Sequence, residues 1–111
     1  MARILIVEPH ADIRALLEHV VGRLGHEVVY ADGNGGPMPD VDAAVIEPGD
    51  YSGMRLARHV RDLGRPVVFT SIFPPEREAL DLRPAAYFVK PFALQELETA
   101  LTAALEAPVP V

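Results

Sequence analysis

Four residues with chemically useful side chains occupy matching places in the sequence. Glu8, Glu47, Thr70 and Lys90 each follow a short apolar run: Ile4-Leu5-Ile6-Val7, Ala43-Ala44-Val45-Ile46, Pro66-Val67-Val68-Phe69 and Ala86-Tyr87-Phe88-Val89. In open α/β sheets, reacting groups and ligands collect outside the carboxyl ends of parallel strands. Two carboxylates, a hydroxyl and an ammonium are therefore expected to meet at one sheet edge. Glu47, followed at once by Pro48 and Gly49, is the pivot of the set. An acid there can be a working acceptor of a transferred group, a fixed imitation of one, or a buried structural acid. Residue type alone leaves the three open.

The elements that must position these residues can be read from the apolar pattern. Continuous apolar runs suit central parallel strands covered on both faces. Ile13, Leu16, Leu17, Val20, Val21 and Leu24 recur at helical spacing, opened by the acid Asp12 and stopped by Gly25. Glu27-Val28-Val29-Tyr30 reads as a second strand. Residues 32–40 are rich in glycine and proline and have no helical period. The crossover there is therefore expected as a loop or a single turn, and it lacks the spacing of a phosphate-binding glycine loop.

Ser52 is placed to cap a helix carrying Leu56, Ala57, Val60 and Leu63, ended by Gly64 and Pro66. Pro74-Pro75-Glu76-Arg77-Glu78 opens a short helix that cannot run past Arg83, because Pro84 follows. Leu94, Leu97, Leu101, Ala104 and Leu105 mark a last helix. Its capping position, Ala93, has no side-chain acceptor, which forgoes roughly 0.5–2 kcal/mol. The order predicts an α/β domain over residues 1–107, a doubly wound five-stranded parallel sheet, with residues 108–111 as a tail or linker stub.

Composition removes several function classes. The chain has 111 residues, half of them apolar, so one globular domain is expected. It lacks cysteine, which excludes disulfides, thiolate catalysis and cysteine-ligated metals. A net charge of −6 argues against direct nucleic-acid binding. No apolar run approaches the ~20 residues of a membrane span, and the first strand pattern begins without a signal peptide, so a cytoplasmic protein is expected. Nine of the ten Lys and Arg residues are arginine, and the single lysine is Lys90. Arg55, Arg58, Arg61 and Arg65 form a basic run that reads as a solvated face or a surface for an acidic partner. His10, beside Pro9, reads as a surface histidine.

Several motifs fall together in one order: Ile4-Leu5-Ile6-Val7-Glu8, Asp12-Ile13-Arg14, Val68-Phe69-Thr70-Ser71, and Tyr87-Phe88-Val89-Lys90-Pro91-Phe92 followed by Leu94 and Glu96-Leu97. On these the chain resembles the receiver domain of two-component response regulators, over nearly all of its length. The resemblance implies a flavodoxin-like sheet of order 2-1-3-4-5. It also implies phosphoryl transfer from a histidine kinase onto an acid at the end of the third strand, with Mg²⁺ held by acids after the first. By position, Glu47 stands where the phosphoacceptor would be, Glu8 is the first acid, Lys90 the lysine, Thr70 the hydroxyl and Tyr87 the switch aromatic.

Two positions depart from that pattern. The acceptor position holds Glu47 instead of aspartate, and Pro9 stands where the second, metal-ligating acid belongs. The extra methylene moves the carboxylate by ~1.5 Å, and a ~1 Å misplacement can slow a reaction ~10²-fold. The loop after Glu47 is also about two residues short of the family's pattern. A weakened or lost Mg²⁺ site at Glu8 and Glu47 is expected, with no catalytic residue, no cofactor and no enzyme activity. The expectation is a pseudo-receiver in which Glu47 reaches Thr70 and Lys90, acting on a protein partner: a histidine kinase, a phosphotransfer protein, an output domain or a second copy. The alternative is a Mg²⁺-dependent phosphoacceptor using Glu47 or Asp50. A flavodoxin-type cofactor enzyme fits less well, because Glu8 and Asp12 would repel phosphate after the first strand.

Overall fold

The strand runs pair as their apolar character requires. The structure, a computed structural model, describes residues 1–31, 37–49 and 51–107. In chain order the elements are β1 (Arg3–Val7), α1 (Ala11–Arg23), β2 (Glu27–Val29), β3 (Ala43–Ile46), α2 (Tyr51–Asp62), β4 (Val67–Ser71), α3 (Arg77–Leu80), β5 (Ala86–Val89) and α4 (Leu94–Glu106). The five strands form one parallel sheet in the order β2-β1-β3-β4-β5. This is the doubly wound α/β fold and the strand order that the sequence implied. Among the described residues no helix is long and apolar enough to cross a membrane.

Alternation along the strands divides the core in two. Leu5, Ala44, Ile46, Val67 and Phe69 pack beneath Met54, Leu56, Ala57 and Val60 of α2. Ile4, Ile6, Ala43, Val45 and Val68 face Leu17, Val20 and Val21 of α1 and Leu97 and Leu101 of α4. Both faces are therefore covered, and each buried branched side chain contributes about 1.5–3 kcal/mol. An Arg23–Glu98 ion pair at 2.8 Å ties α1 to α4 at the surface.

Several boundaries differ from the sequence reading. Tyr30 lies beyond β2 and is exposed; its hydroxyl donates to Glu18 instead of joining the sheet. Ser52 lies inside the first turn of α2, one residue past the helix start, and does not precede it as a cap. The fourth strand continues through Thr70 and Ser71, because β5 pairs with both. The helix after Pro74-Pro75 is a single turn that starts past both prolines, at Arg77, and ends at Leu80 with Asp81 as its C-cap; Arg83, just before Pro84, lies in the left-handed region at φ 52°. No helix lies between β2 and β3 among the described residues, while the glycine-rich residues 32–36 lie outside them, as do residues 108–111. The last helix begins after Ala93 with no side-chain cap, as its alanine dictates.

Candidate functional site

Register brings the strand ends together. Val7 pairs with Ile46, and Ile46 with Phe69, so Glu8, Glu47 and Thr70 fall side by side. The ladder runs one step further on both sides of the set: Glu47 N–H donates to Val7 O at 2.8 Å, and Lys90 N–H to Ser71 O at 2.7 Å. Glu8 continues the alternation of Ile4 and Ile6, Glu47 that of Ala43 and Val45, and Lys90 that of Ala86 and Phe88. All three sit on the face covered by α1 and α4. Neighbouring strands are ~4.8 Å apart, so a group on β5 meets one on β1 only when both side chains are long. Glu8 and Lys90 are.

The geometry is a three-residue ion cluster. Lys90 Nζ donates to Glu8 Oε1 at 2.5 Å and to Glu47 Oε2 at 3.0 Å. The Glu8 side chain is fully buried, and about a tenth of the Glu47 and Lys90 side chains is exposed. Burial by itself would lower the Lys90 pKa. Its hydrogen bonds to Glu8 and then Glu47, with their charges, outweigh that and hold it above the ordinary lysine value.

The remaining carboxylate oxygens are held by backbone in one repeated pattern. Glu8 Oε2 accepts from His10 N–H at 3.2 Å, and Glu47 Oε1 accepts from Gly49 N–H at 2.9 Å. Both are Glu-Pro-Xaa turns: the proline has no N–H to offer, and the next N–H returns to the glutamate two residues back. The His10 ring adds Nδ1 at 3.3 Å from Glu8 Oε2, and Arg14 Nη1 donates to Glu8 O at 3.2 Å. Every oxygen of both carboxylates thus has a donor within the protein.

Glycine lets the start of α2 approach the end of β3 closely. A Cβ on Gly53 would lie 2.2 Å from the backbone oxygen of Glu47, so the first turn of α2 can press against the end of β3 only without a side chain there.

Thr70 and Tyr87 are placed differently from the carboxylates. Thr70 is fully buried, yet its Oγ1 has no hydrogen-bond partner among the described residues. The expectation that Glu47 reaches both Thr70 and Lys90 is met for Lys90 alone, because Glu47 is held by Gly49 on one oxygen and Lys90 on the other. Tyr87 lies on the opposite face, its ring 5.9 Å from that of Phe69, and its hydroxyl donates to Phe73 O at 3.0 Å. Asp50 lies outside the described residues. Sequence reasoning missed the capture of Lys90 by Glu8 and the two backbone donors. The twice-used Glu-Pro dipeptide was the available signal.

The donor set does not fit Mg²⁺, a hard cation that wants near-octahedral oxygen ligands. Glu8 and Glu47 already share the Lys90 ammonium, and Pro9 contributes no carboxylate. Among the described residues no group of three or more His, Asp or Glu is arranged to hold a metal.

No protein-family model matches the sequence, and no curated protein matches it either. Solved structures do. The signal receiver domain of a modulated diguanylate cyclase from Desulfovibrio desulfuricans G20 superposes with a TM-score of 0.79 at 23% identity, over 95% of this chain and 94% of that one. The response regulator TrrA from Thermotoga maritima, solved in complex with Mg(2+)-BeF, gives 0.73 at 23% identity over 94% and 99%. The chemotaxis protein CheY4 of Vibrio cholerae gives 0.75 at 21% identity over 94% and 98%. With its sheet order, its paired strand ends and these superpositions, the chain has the fold of a response-regulator receiver domain.

Proposed function

We propose that this protein is a pseudo-receiver: a receiver-fold signalling module that works without phosphorylation and acts through contact with a protein partner. That partner is a histidine kinase, a phosphotransfer protein or an output domain. The observation that carries the proposal is the closed set of hydrogen bonds around Lys90, in which both carboxylates are fully engaged. A nucleophilic carboxylate needs a free oxygen aimed at phosphorus, and a metal site needs oxygens free of other cations. Here the ammonium takes the metal's place and Glu47 takes a fixed orientation. One lasting charge cluster then replaces a charge that comes and goes.

One observation favours a second reading. The orphaned Thr70 Oγ1 is a buried donor that a bound anion would satisfy, which suits a Mg²⁺-dependent phosphoacceptor at Glu47. Titration of the amide NMR spectrum with Mg²⁺, then with Mg²⁺ and beryllofluoride, separates the two. The pseudo-receiver keeps the resonances of Glu8, Glu47, Thr70, Tyr87 and Lys90 unmoved. Beryllofluoride-dependent shifts at those amides would overturn it in favour of the second reading.

A further inference from the structure

A cavity of about 570 Å³ lies at the opposite edge of the sheet, among the residues that enter the strands. Its volume is in the range of small-molecule sites, and its wall includes apolar surface from Pro66, Ala104 and Leu105. Around this wall stand Arg61, Arg65, Arg83 and His26, in a chain whose net charge is −6. The concentration of arginines is therefore local.

These side chains divide into those already occupied and those free to bind. Arg61 donates to Leu82 O at 2.8 Å and to Arg65 O at 3.1 Å, so its guanidinium is already engaged. His26 Nδ1 accepts the Ala2 N–H at 3.1 Å, which leaves its proton on Nε2 as a donor. The guanidiniums of Arg65 and Arg83 have no ion pair or hydrogen bond among the described residues. The one acid lining the cavity, Asp42, already accepts the Arg3 N–H at 2.7 Å through Oδ2.

Arg83 carries a second, independent mark. It is the one non-glycine residue with positive φ among the described residues, at 52°, directly before Pro84. A left-handed arginine is strained, and such strain clusters at binding and switch sites. Glycine would make the same turn more easily but would remove an arginine from the cavity lining.

We infer that this cavity binds a small amphipathic anion, a carboxylate or phosphate on an apolar body, with Arg65 and Arg83 gripping the anionic group. The apolar wall takes the body. The site lies away from Glu47 and Lys90, so it stands or falls separately from the pseudo-receiver reading.

Titration of the full chain by amide NMR tests this with three probes: octanoate, octanol and inorganic phosphate. Octanoate is expected to shift the amides of Arg65, Arg83, Ala85 and Ala104 and to bind about tenfold more tightly than octanol or phosphate. The double variant Arg65→Gln/Arg83→Gln is expected to lose about tenfold in octanoate affinity while keeping its thermal midpoint, since neither side chain has an intramolecular partner. Three results would each overturn the inference: octanoate shifts scattered over the surface or absent, phosphate binding as tightly as octanoate, or octanoate affinity unchanged in the double variant.

Discussion

Removing Lys90 strips two buried carboxylates of their shared cation, and the size of the effect follows from the geometry. In Lys90→Met the side chain keeps much of its volume, so packing is nearly conserved and the loss is electrostatic. Glu8 is fully buried at the side chain, and Glu47 nearly so. Leaving buried charge uncompensated costs about 3–5 kcal/mol, out of the ~5–15 kcal/mol that hold a typical domain. At roughly 4 °C per kcal/mol for a chain of this size, the thermal midpoint should fall by roughly 12–20 °C.

The pH dependence gives a sharper signature. Without the ammonium, one glutamate keeps a proton in the folded variant at a pH where the unfolded chain has released it. The folded state then binds more protons, so the stability of the variant rises as pH falls from 7 to 5, by up to ~1.4 kcal/mol per unit for one proton. Thermal or urea melts at several pH values measure both effects. The triple variant Glu8→Gln/Glu47→Gln/Lys90→Met should recover much of the loss, because no charge remains buried. A loss below ~1 kcal/mol in Lys90→Met, equal at pH 5 and pH 7, would refute the claim that this cluster holds the sheet edge.

Three further outcomes follow from the same contacts. The Lys90 pKa is raised above the ordinary 10.5, so its stabilising contribution is complete below that value and lost as pH climbs through the folded one; alkaline melts of the wild type and Lys90→Met should converge there. Gly53→Ala forces a methyl against the Glu47 carbonyl and should destabilise by at least ~1–3 kcal/mol in urea melts; a neutral result would mean that α2 does not press on β3. Thr70→Val replaces an orphaned buried hydroxyl with a methyl of similar shape and should be neutral or stabilising; a loss above ~1 kcal/mol would show that the hydroxyl has a partner, such as a bound water.

Much of this architecture was legible in the residues themselves. Unbroken runs such as Ile4-Leu5-Ile6-Val7 announce strands covered on both sides, and the stripe from Ile13 to Leu24 announces α1, because each pattern reports which faces must leave water. The convergence of Glu8, Glu47, Thr70 and Lys90 was legible for the same reason: parallel strands put like ends on one edge. What escaped was side-chain reach. Nothing local to Glu8 says that it meets Lys90 across two intervening strands, since that contact is set by register and by the length of both side chains. The backbone donors of His10 and Gly49 escaped because a turn hydrogen bond depends on dihedral angles that the residue types only permit. Pro9, taken as a missing metal ligand, also serves the turn that fixes Glu8. Arg83 in a left-handed turn runs against its own propensity and could be seen only in the folded chain.

The central claim is that Glu47 is held in place and does not take up phosphoryl groups. Intact-mass measurement after incubation with acetyl phosphate and Mg²⁺ tests it most directly, on the wild type beside the double variant Pro9→Asp/Glu47→Asp. The account predicts an unmodified wild type and a labelled variant, in which the two introduced aspartates supply a metal ligand and an acceptor on the same scaffold. A phosphoryl group on the wild-type chain would contradict it.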